Sequence, residues 1–308
     1  MSEARALIWV QHLLGIGHLR RAAALARALA EREFNVLLVS GGMPLHGLDL
    51  GAAKFEQLPP LRATDATFSA TVDANGQAPD SAFRATRRDR LISLYRAHRP
   101  QVIITEMYPF GRRQFAAELL PLFEVAHHTR PKPAIFASVR DILTERSDPH
   151  RNSEMARLAL RWYRAVLVHG DPELIPFEAS FPEAVRISHL IRYTGYIGAV
   201  GPGGPYGASG EVIVSAGGGA VSAHLLQTAL EARELSVLAD RRWRLLAGPN
   251  LPAEWFDALK RLSHDGTVVE RAREDFPALL EAAALSISQA GYNTVLDVVS
   301  ARVRAVLV

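Results

Sequence analysis

Three short stretches place glycine and polar residues where an apolar run gives way to helical periodicity. The first is Gly15-Ile16-Gly17-His18. Glycines Gly15 and Gly17 let a ligand approach the backbone closely, and a helix starting there offers free N–H groups and the positive end of its dipole. An imidazole at that mouth, His18, can take a proton from a hydroxyl near neutral pH. The same four residues also suit a plain tight turn whose histidine caps the helix, and the motif alone does not separate the two.

The second stretch is Ser215-Ala216-Gly217-Gly218-Gly219-Ala220. Three consecutive glycines remove every side chain, so amides can line a diphosphate while the following helix opposes its charge. It lacks the Gly-Lys-Ser/Thr ending of a P-loop and the spaced glycines of a dinucleotide fingerprint. The third is Ser286 to Asp297, where a strand ends at Ser288, Gln289 follows, and Gly291 makes a turn. Asn293 or Thr294 is expected to cap the next helix. Asp297, one turn on, could accept hydrogen bonds from both hydroxyls of a ribose; a solvated helix carboxylate is the commoner fate of such a residue.

Other polar residues are weaker signals. Glu106 follows an apolar strand and reads as an acceptor-positioning carboxylate, a partner for His18, or a solvated loop carboxylate. Arg140 and Asp141 follow another strand, where a structural ion pair is the simplest account. His127 and His128 adjoin a helix end without the acidic cluster of a metal site, so no metal site is expected.

These residues need elements to hold them, and the chain alternates short apolar runs with helical periodicity, the pattern of βα units on parallel sheets. Strands are expected at Ala6 to Val10, Val36 to Ser40, Val102 to Thr105, Ala134 to Ser138 and Val166 to His169. Helices are expected over Leu19 to Arg32, up to about His98, after Arg113 and near Asn152 to Arg164. Leu58 to Asp80 reads as a long loop without period, of the kind that is functional or mobile. Gly198 to Gly210 is too rich in Gly and Pro to sustain an element and reads as a linker. The alternation then restarts with Val212 to Ser215, a helix over Ala220 to Glu234, and strands near Leu245, Val268 and Ile287. The final Val306-Leu307-Val308 reads as the middle of a buried strand, so the chain is expected to be C-terminally incomplete.

The 308 residues suit two domains. With no cysteine, a disulfide framework, a thiolate nucleophile and a sulfur-ligated zinc are excluded. The formal charge is only +3, and the basic residues are nearly all arginine, with lysine only at 54, 132 and 260. No basic run interleaves with aromatics, so phosphate-bearing small molecules fit better than nucleic acid. No apolar stretch approaches the roughly 18 residues of a membrane span and no signal peptide is visible, which predicts a cytoplasmic protein with room for peripheral membrane contact.

Taken together, the three motifs resemble the GT-B glycosyltransferases, and within them the branch of the peptidoglycan N-acetylglucosaminyltransferase with its family 28-type C-terminal domain. A group of bacterial glycosyltransferases known only by prediction is more similar still: its GxGHLRRA start, RDIL segment and SAGGGA loop match Gly15 to Ala22, Arg140 to Leu143 and Ser215 to Ala220. The resemblance spans nearly the whole chain. It implies an α/β fold of two Rossmann-like domains with parallel sheets facing a cleft: an acceptor-side domain over 1–197, the linker 198–210, and a nucleotide-sugar-binding domain over 211–308 that is truncated. It further implies a nucleoside diphosphate donor, uridine-linked, and inverting transfer to a hydroxyl of an unidentified glycan, lipid or small molecule, without cofactor or metal. His18 would be the base. Gly217, Gly218 and Gly219 would face the diphosphate, the backbone near Glu270 and Arg271 the nucleobase, and Asp297 the ribose in place of the family's glutamate. The family's next segment, which begins with proline and later supplies glutamines to the donor sugar, is not in this chain, which leaves its own activity open. Two rivals share these residues: a UDP-sugar hydrolase of the pseudaminic acid type, whose GxGH-x-x-R start Gly15 to Arg21 also matches, and a non-catalytic nucleotide-sugar-binding module.

Overall fold

An apolar run whose residues are buried on both faces belongs in the interior of a parallel sheet covered by helices. β1 (Arg5–Val10) is such a run: Leu7 and Trp9 join one core cluster, while Ala6, Ile8 and Val10 join another on the opposite face. The computed structural model describes residues 4–45, 47–65, 70–143, 148–198, 210–217, 222–248, 251–273 and 275–308. They form two compact units, Met1–Ile197 and Gly198–Val308.

In the first unit β1 is followed by α1 (Gly17–Ala30), β2 (Asn35–Ser40), β3 (Lys54–Gln57), β4 (Arg62–Ala63), β5 (Thr71–Val72) and α2 (Ser81–His98). Then come β6 (Val102–Glu106), α3 (Ala116–His128), β7 (Ala134–Arg140), α4 (Pro149–Trp162), β8 (Ala165–His169) and β9 (Ile191–Tyr193). Seven parallel strands run in the order β3-β2-β1-β6-β7-β8-β9. The order reverses between β1 and β6, and an open α/β sheet leaves a crevice for ligands outside the strand ends at that place. α1 lays Leu19, Ala22, Ala23 and Ala26 on one face. α2, α3 and α4 cover the other with residues such as Leu91, Phe123 and Ala156. Helix starts follow local chemistry: Asp80 accepts from the Phe83 amide at 2.7 Å, and Asp148 accepts from the His150 amide at 3.0 Å ahead of Pro149.

The second unit repeats the scheme with β10 (Val212–Ser215), α5 (Ser222–Arg233), β11 (Trp243–Ala247), α6 (Ala253–Leu262) and β12 (Thr267–Arg271). It continues with α7 (Phe276–Ala282), β13 (Leu285–Ser288), α8 (Tyr292–Ala301) and β14 (Ala305–Leu307). Its five parallel strands run β12-β11-β10-β13-β14, so here the order reverses between β10 and β13. α5 and α6 cover one face and α7 and α8 the other.

Several expectations need correction. The stretch Leu58 to Asp80 is not structureless: β4 and β5 pair antiparallel within it, although residues 66–69 lie outside the described residues. β3, with the weakly apolar sequence KFEQ, is an edge strand that periodicity does not reveal. α6, α7 and the 3₁₀ segment Pro182–Leu190 were likewise not anticipated. Most of the expected linker, 199–209, lies outside the described residues.

A buried ion pair ties the first unit's loops together. The Arg87 guanidinium donates to both carboxylate oxygens of Glu118, through Nε at 2.9 Å and Nη2 at 3.0 Å. It also donates to Gln11 Oε1 and to the carbonyls of Gly41 and Pro59, while Trp9 Nε1 donates to Glu118 at 3.1 Å. A Cβ at Gly41 would collide with Gln11 and Arg87, which explains the glycine. Removing one partner leaves an uncompensated buried charge. Glu118→Leu is therefore expected to cost about 3–5 kcal/mol in urea unfolding, and pairing it with Arg87→Met to recover much of that loss.

Candidate active site

The β1–β6 switch point of the first unit collects titratable side chains. β1 delivers the chain to Gln11, the Gly15–Gly17 turn follows, and α1 begins at Gly17 rather than Leu19, with Ile16 at its N-cap and no side-chain cap. His18 is thus the second residue of the helix and does not cap it. Arg21 stands three residues on, on the same helical face. β6 ends on Glu106, so the carboxylate lies beside the start of α1.

The structure brings His18 and Glu106 together, with Nδ1 2.9 Å from Oε1. Arg21 Nη2 donates to the same oxygen and also lies 3.1 Å from His18 Nδ1. Ser138 Oγ, from β7, donates to Glu106 Oε2 at 2.5 Å. Ser138 Oγ is also 2.8 Å from His169 Nε2 on β8, and His169 Nδ1 is 2.7 Å from Thr194 Oγ1. The side chains of Arg21 and Glu106 are 2% and 1% exposed, so this pair works at low dielectric, where it attracts strongly.

Burial pushes the Glu106 carboxyl up, but the Arg21 charge and the hydrogen bonds from His18 and Arg21 outweigh it and hold the group below the usual carboxylate range. Glu106 is therefore ionised and can only accept. The proton between it and His18 belongs to Nδ1, since the other tautomer would set two lone pairs against each other. Ser138 gives its own proton to Glu106, so His169 donates from Nε2 to Ser138. The two histidines are locked in opposite tautomers by one carboxylate. Burial lowers His18 to about 4, with Glu106 opposing and Arg112 assisting; burial likewise brings His169 to about 4. Both are neutral at pH 7. His18 Nε2 makes no hydrogen bond among the described residues, which leaves a lone pair open to take a proton.

The loop after Glu106 is strained. Met107 and Arg112 adopt left-handed φ of 68° and 60°, unusual for residues with side chains. The Met107 amide donates to the Ser138 carbonyl, and Arg112 Nε donates to the Gln11 carbonyl at 2.7 Å, fastening the loop across the end of β1.

In the second unit the β10–β13 switch point brings together two of the expected turns. Ser215 and Ser288 are register partners, so Gly217 and Gln289 leave adjacent strand ends. Gly217 has φ of 64°, and a Cβ there would sit 3.3 Å from Gln289 Oε1. Gly218 and Gly219 lie outside the described residues. Contrary to expectation, neither Asn293 nor Thr294 caps α8: Gly291, in extended conformation, is the N-cap, and no side chain caps it. The helix therefore starts two or three residues earlier than expected, at Tyr292, which places Asn293 and Thr294 inside it. Asp297 is half-buried on α8, one turn beyond Asn293.

Glu270 and Arg271 have side chains with structural work. Glu270 accepts from Arg244 Nη1 at 2.7 Å, while Arg244 also grips Glu211 through Nε and Nη2. Arg271 donates to the carbonyls of Gly248 and Leu251 and stacks over Phe256. His127 and His128 are exposed at the end of α3, His127 beside Lys132, and no cluster suited to a metal ion occurs among the described residues. No helix among them is long and apolar enough to cross a membrane.

Comparison with known proteins adds the architecture. No protein-family model matches the chain, and no curated protein matches it by sequence. Solved structures do match. A glycosyltransferase of Phytolacca americana, UGT2, seen with UDP-2-fluoro-glucose and pterostilbene, aligns over 100% of this chain and 80% of its own at TM-score 0.57 and 15% identity. MurG of Acinetobacter baumannii aligns over 99% and 79% at TM-score 0.57 and 14% identity. SsfS6 of Streptomyces sp. SF2575, seen with thymidine diphosphate, aligns over 99% and 81% at TM-score 0.57 and 14% identity. The fold is GT-B. Within GT-B these matches do not single out the branch that the sequence resembles.

Sequence reasoning gave no chemical role to Arg21, Ser138 or His169, although Arg21 closes the matched GxGH-x-x-R start. A signal was present for the last two, because adjacent apolar strands end on polar residues, Glu106, Ser138 to Arg140, and His169. The histidines also make stability pH-dependent. Their native pKa values lie below the ordinary 6.5, so the unfolded chain takes up protons first on acidification. Stability is full above about pH 6.5 and falls towards pH 4. Urea midpoints measured from pH 7.5 to 5 should decline, and less steeply in His169→Gln.

Proposed function

We propose that this chain transfers a glycosyl group from a nucleoside diphosphate sugar, uridine-linked, to an acceptor hydroxyl with inversion. The observation that carries the reading is the neutral imidazole of His18, held by ionised Glu106 with Nε2 open. The acceptor proton passes to Nε2, the acceptor oxygen forms its bond to the anomeric carbon, and the bond from that carbon to the diphosphate breaks on the opposite face. Glu106 stabilises the imidazolium that forms, as the carboxylate of a catalytic triad does. Only the orienting contact is made before the reaction; the charge attraction develops with the transition state, which is where it accelerates the step.

The diphosphate is assigned to the second unit, at Gly217 and, by the sequence motif, Gly218 and Gly219. Amides freed of side chains and the following helix N-terminus would receive the leaving charge. Gln289, Gly291, Asn293, Thr294 and Asp297 are assigned to the same ligand, Asp297 to its ribose hydroxyls, and the backbone at Glu270 and Arg271 to its base. Two of the structurally similar glycosyltransferases were solved with UDP-2-fluoro-glucose and with thymidine diphosphate, which supports this class of donor.

His18→Ala should lower kcat by roughly 10²–10⁴-fold and leave the affinity for uridine diphosphate, read by calorimetry, unchanged. Because burial places His18 at about 4, wild-type kcat/KM should stay level from pH 8 to about 5 and fall only as His18 takes a proton near pH 4. An acid limb at 6.5 would contradict this. Free sugar released in step with donor consumption, with no acceptor added, would identify water as the acceptor and a hydrolase as the activity.

A further inference from the structure

The strand ends beside β6 hold more than the His18–Glu106 pair. Glu106 is the register partner of Ser138, and His169 is the partner of Arg140, two residues past Ser138. Side chains two apart share a face of a strand. β6, β7 and β8 therefore each bring a polar side chain to the face that α1 covers, where Ile104 packs. Glu106, Ser138 and His169 are each 1% exposed, whereas Thr194, at the far end of the row, is exposed. Apolar side chains at 138 and 169 would spare the sheet the cost of burying polar atoms, so packing alone does not account for them.

The hydrogens of this row all run one way. Thr194 Oγ1 gives its proton to His169 Nδ1, 2.7 Å away, and His169 Nε2 gives its own to Ser138 Oγ at 2.8 Å. Ser138 in turn donates to Glu106 Oε2 at 2.5 Å. A proton could leave His18 through such a row only if every link first turned round, the tautomer of His169 included. The row thus carries no proton away, and what His18 Nε2 accepts stays on that ring until Nε2 releases it.

What the row supplies is a fixed donor on Oε2, which holds the carboxylate with Oε1 at His18 Nδ1. A hydrogen bond to the charged form favours that form, and a carboxylate so satisfied pulls less on Nδ1–H. The other charges facing the pair are Arg21 from α1, on Oε1, and, through space, Arg112 from the loop after β6 and Arg140 from β7. The expected ion pair of Arg140 with Asp141 does not form among the described residues; Asp141 instead accepts from the Ile142 amide at 2.8 Å and bonds Tyr196.

We propose that Ser138, held by His169 and Thr194, is a positioning residue that keeps Glu106 ionised and turned to His18, and so sets how tightly His18 holds a proton. The proposal rests on the reading of His18 as the base, and its test reads the ring directly as well as through turnover.

Ser138→Ala removes one donor from Glu106, the carboxylate pulls harder on Nδ1–H, and the imidazolium gains. Proton NMR of the His18 Cε1–H, assigned by its loss in His18→Ala, should show the titration move up from about 4 by roughly one pH unit. The acid limb of kcat/KM should move with it, with whichever uridine diphosphate sugar the wild type consumes, while kcat falls severalfold and donor KM holds. Should the Ala variant not fold, Ser138→Cys takes its place: a thiol is the weaker donor, and a smaller shift in the same direction is expected. A His18 titration that stays put or moves down in the variants overturns the proposal even where kcat falls, because Ser138 then only packs. Wild type that consumes no such sugar defeats the functional reading alone, and the NMR titration still decides on Ser138.

Discussion

One buried negative charge organises the first unit. Glu106 ends a strand at the place where the sheet order reverses, and a lone carboxylate there would be far too costly to keep ionised. Arg21 makes it affordable, and once ionised it has only lone pairs to offer. That single fact sets the direction of every neighbouring proton: His18 gives Nδ1–H, Ser138 gives its hydroxyl, and His169 answers Ser138 from Nε2. Exposing Nε2 of His18 is a consequence of the same charge. Arg87, held by Glu118, supplies rigidity nearby, since it locks Gln11 just past β1, from which the His18 turn departs, and Gly41 just past β2.

The two units solve the same problem differently. Each is a parallel sheet with a switch point, and each puts its polar residues there. In the first the candidate site is built from charged and polar side chains, buried and mutually engaged. In the second it is built from backbone: Gly217 in a left-handed conformation, Gly291 opening α8, and the side chains of Glu270 and Arg271 engaged elsewhere. Proton transfer needs a titratable group of defined tautomer, whereas a diphosphate needs many amides and little bulk. The division of labour in the proposed reaction follows that difference.

Much of this was legible in the chain because it rests on local rules. The strand-to-helix turns at Gly15–His18 and Ser215–Gly217 announce themselves through glycine followed by helical periodicity, and Glu106 stands out as a carboxylate ending an apolar run. What was not legible depends on sheet order. Ser138 and His169 matter only because β6, β7 and β8 are neighbours; each visibly ends an apolar run, but the order of those strands in the sheet is not written near either residue. Arg21 stands in the GxGH-x-x-R start, but its role shows only once the β1–β6 pairing sets Glu106 beside α1. The expected cap at Asn293 or Thr294 failed because side-chain preference does not fix where a helix starts: α8 begins at Tyr292 behind Gly291, with no side-chain cap. Arg140 looked paired with Asp141 because adjacency in a strand end was taken for contact.

The claim on which the account stands is the tautomer and charge of His18, and nitrogen-15 NMR of histidine-labelled protein reads both. A neutral imidazole protonated on Nδ1, unchanged from pH 8 to about 5, is the predicted spectrum. A cationic ring at pH 7, or a neutral one protonated on Nε2, would contradict the arrangement of charges around Glu106 and with it the assignment of the base.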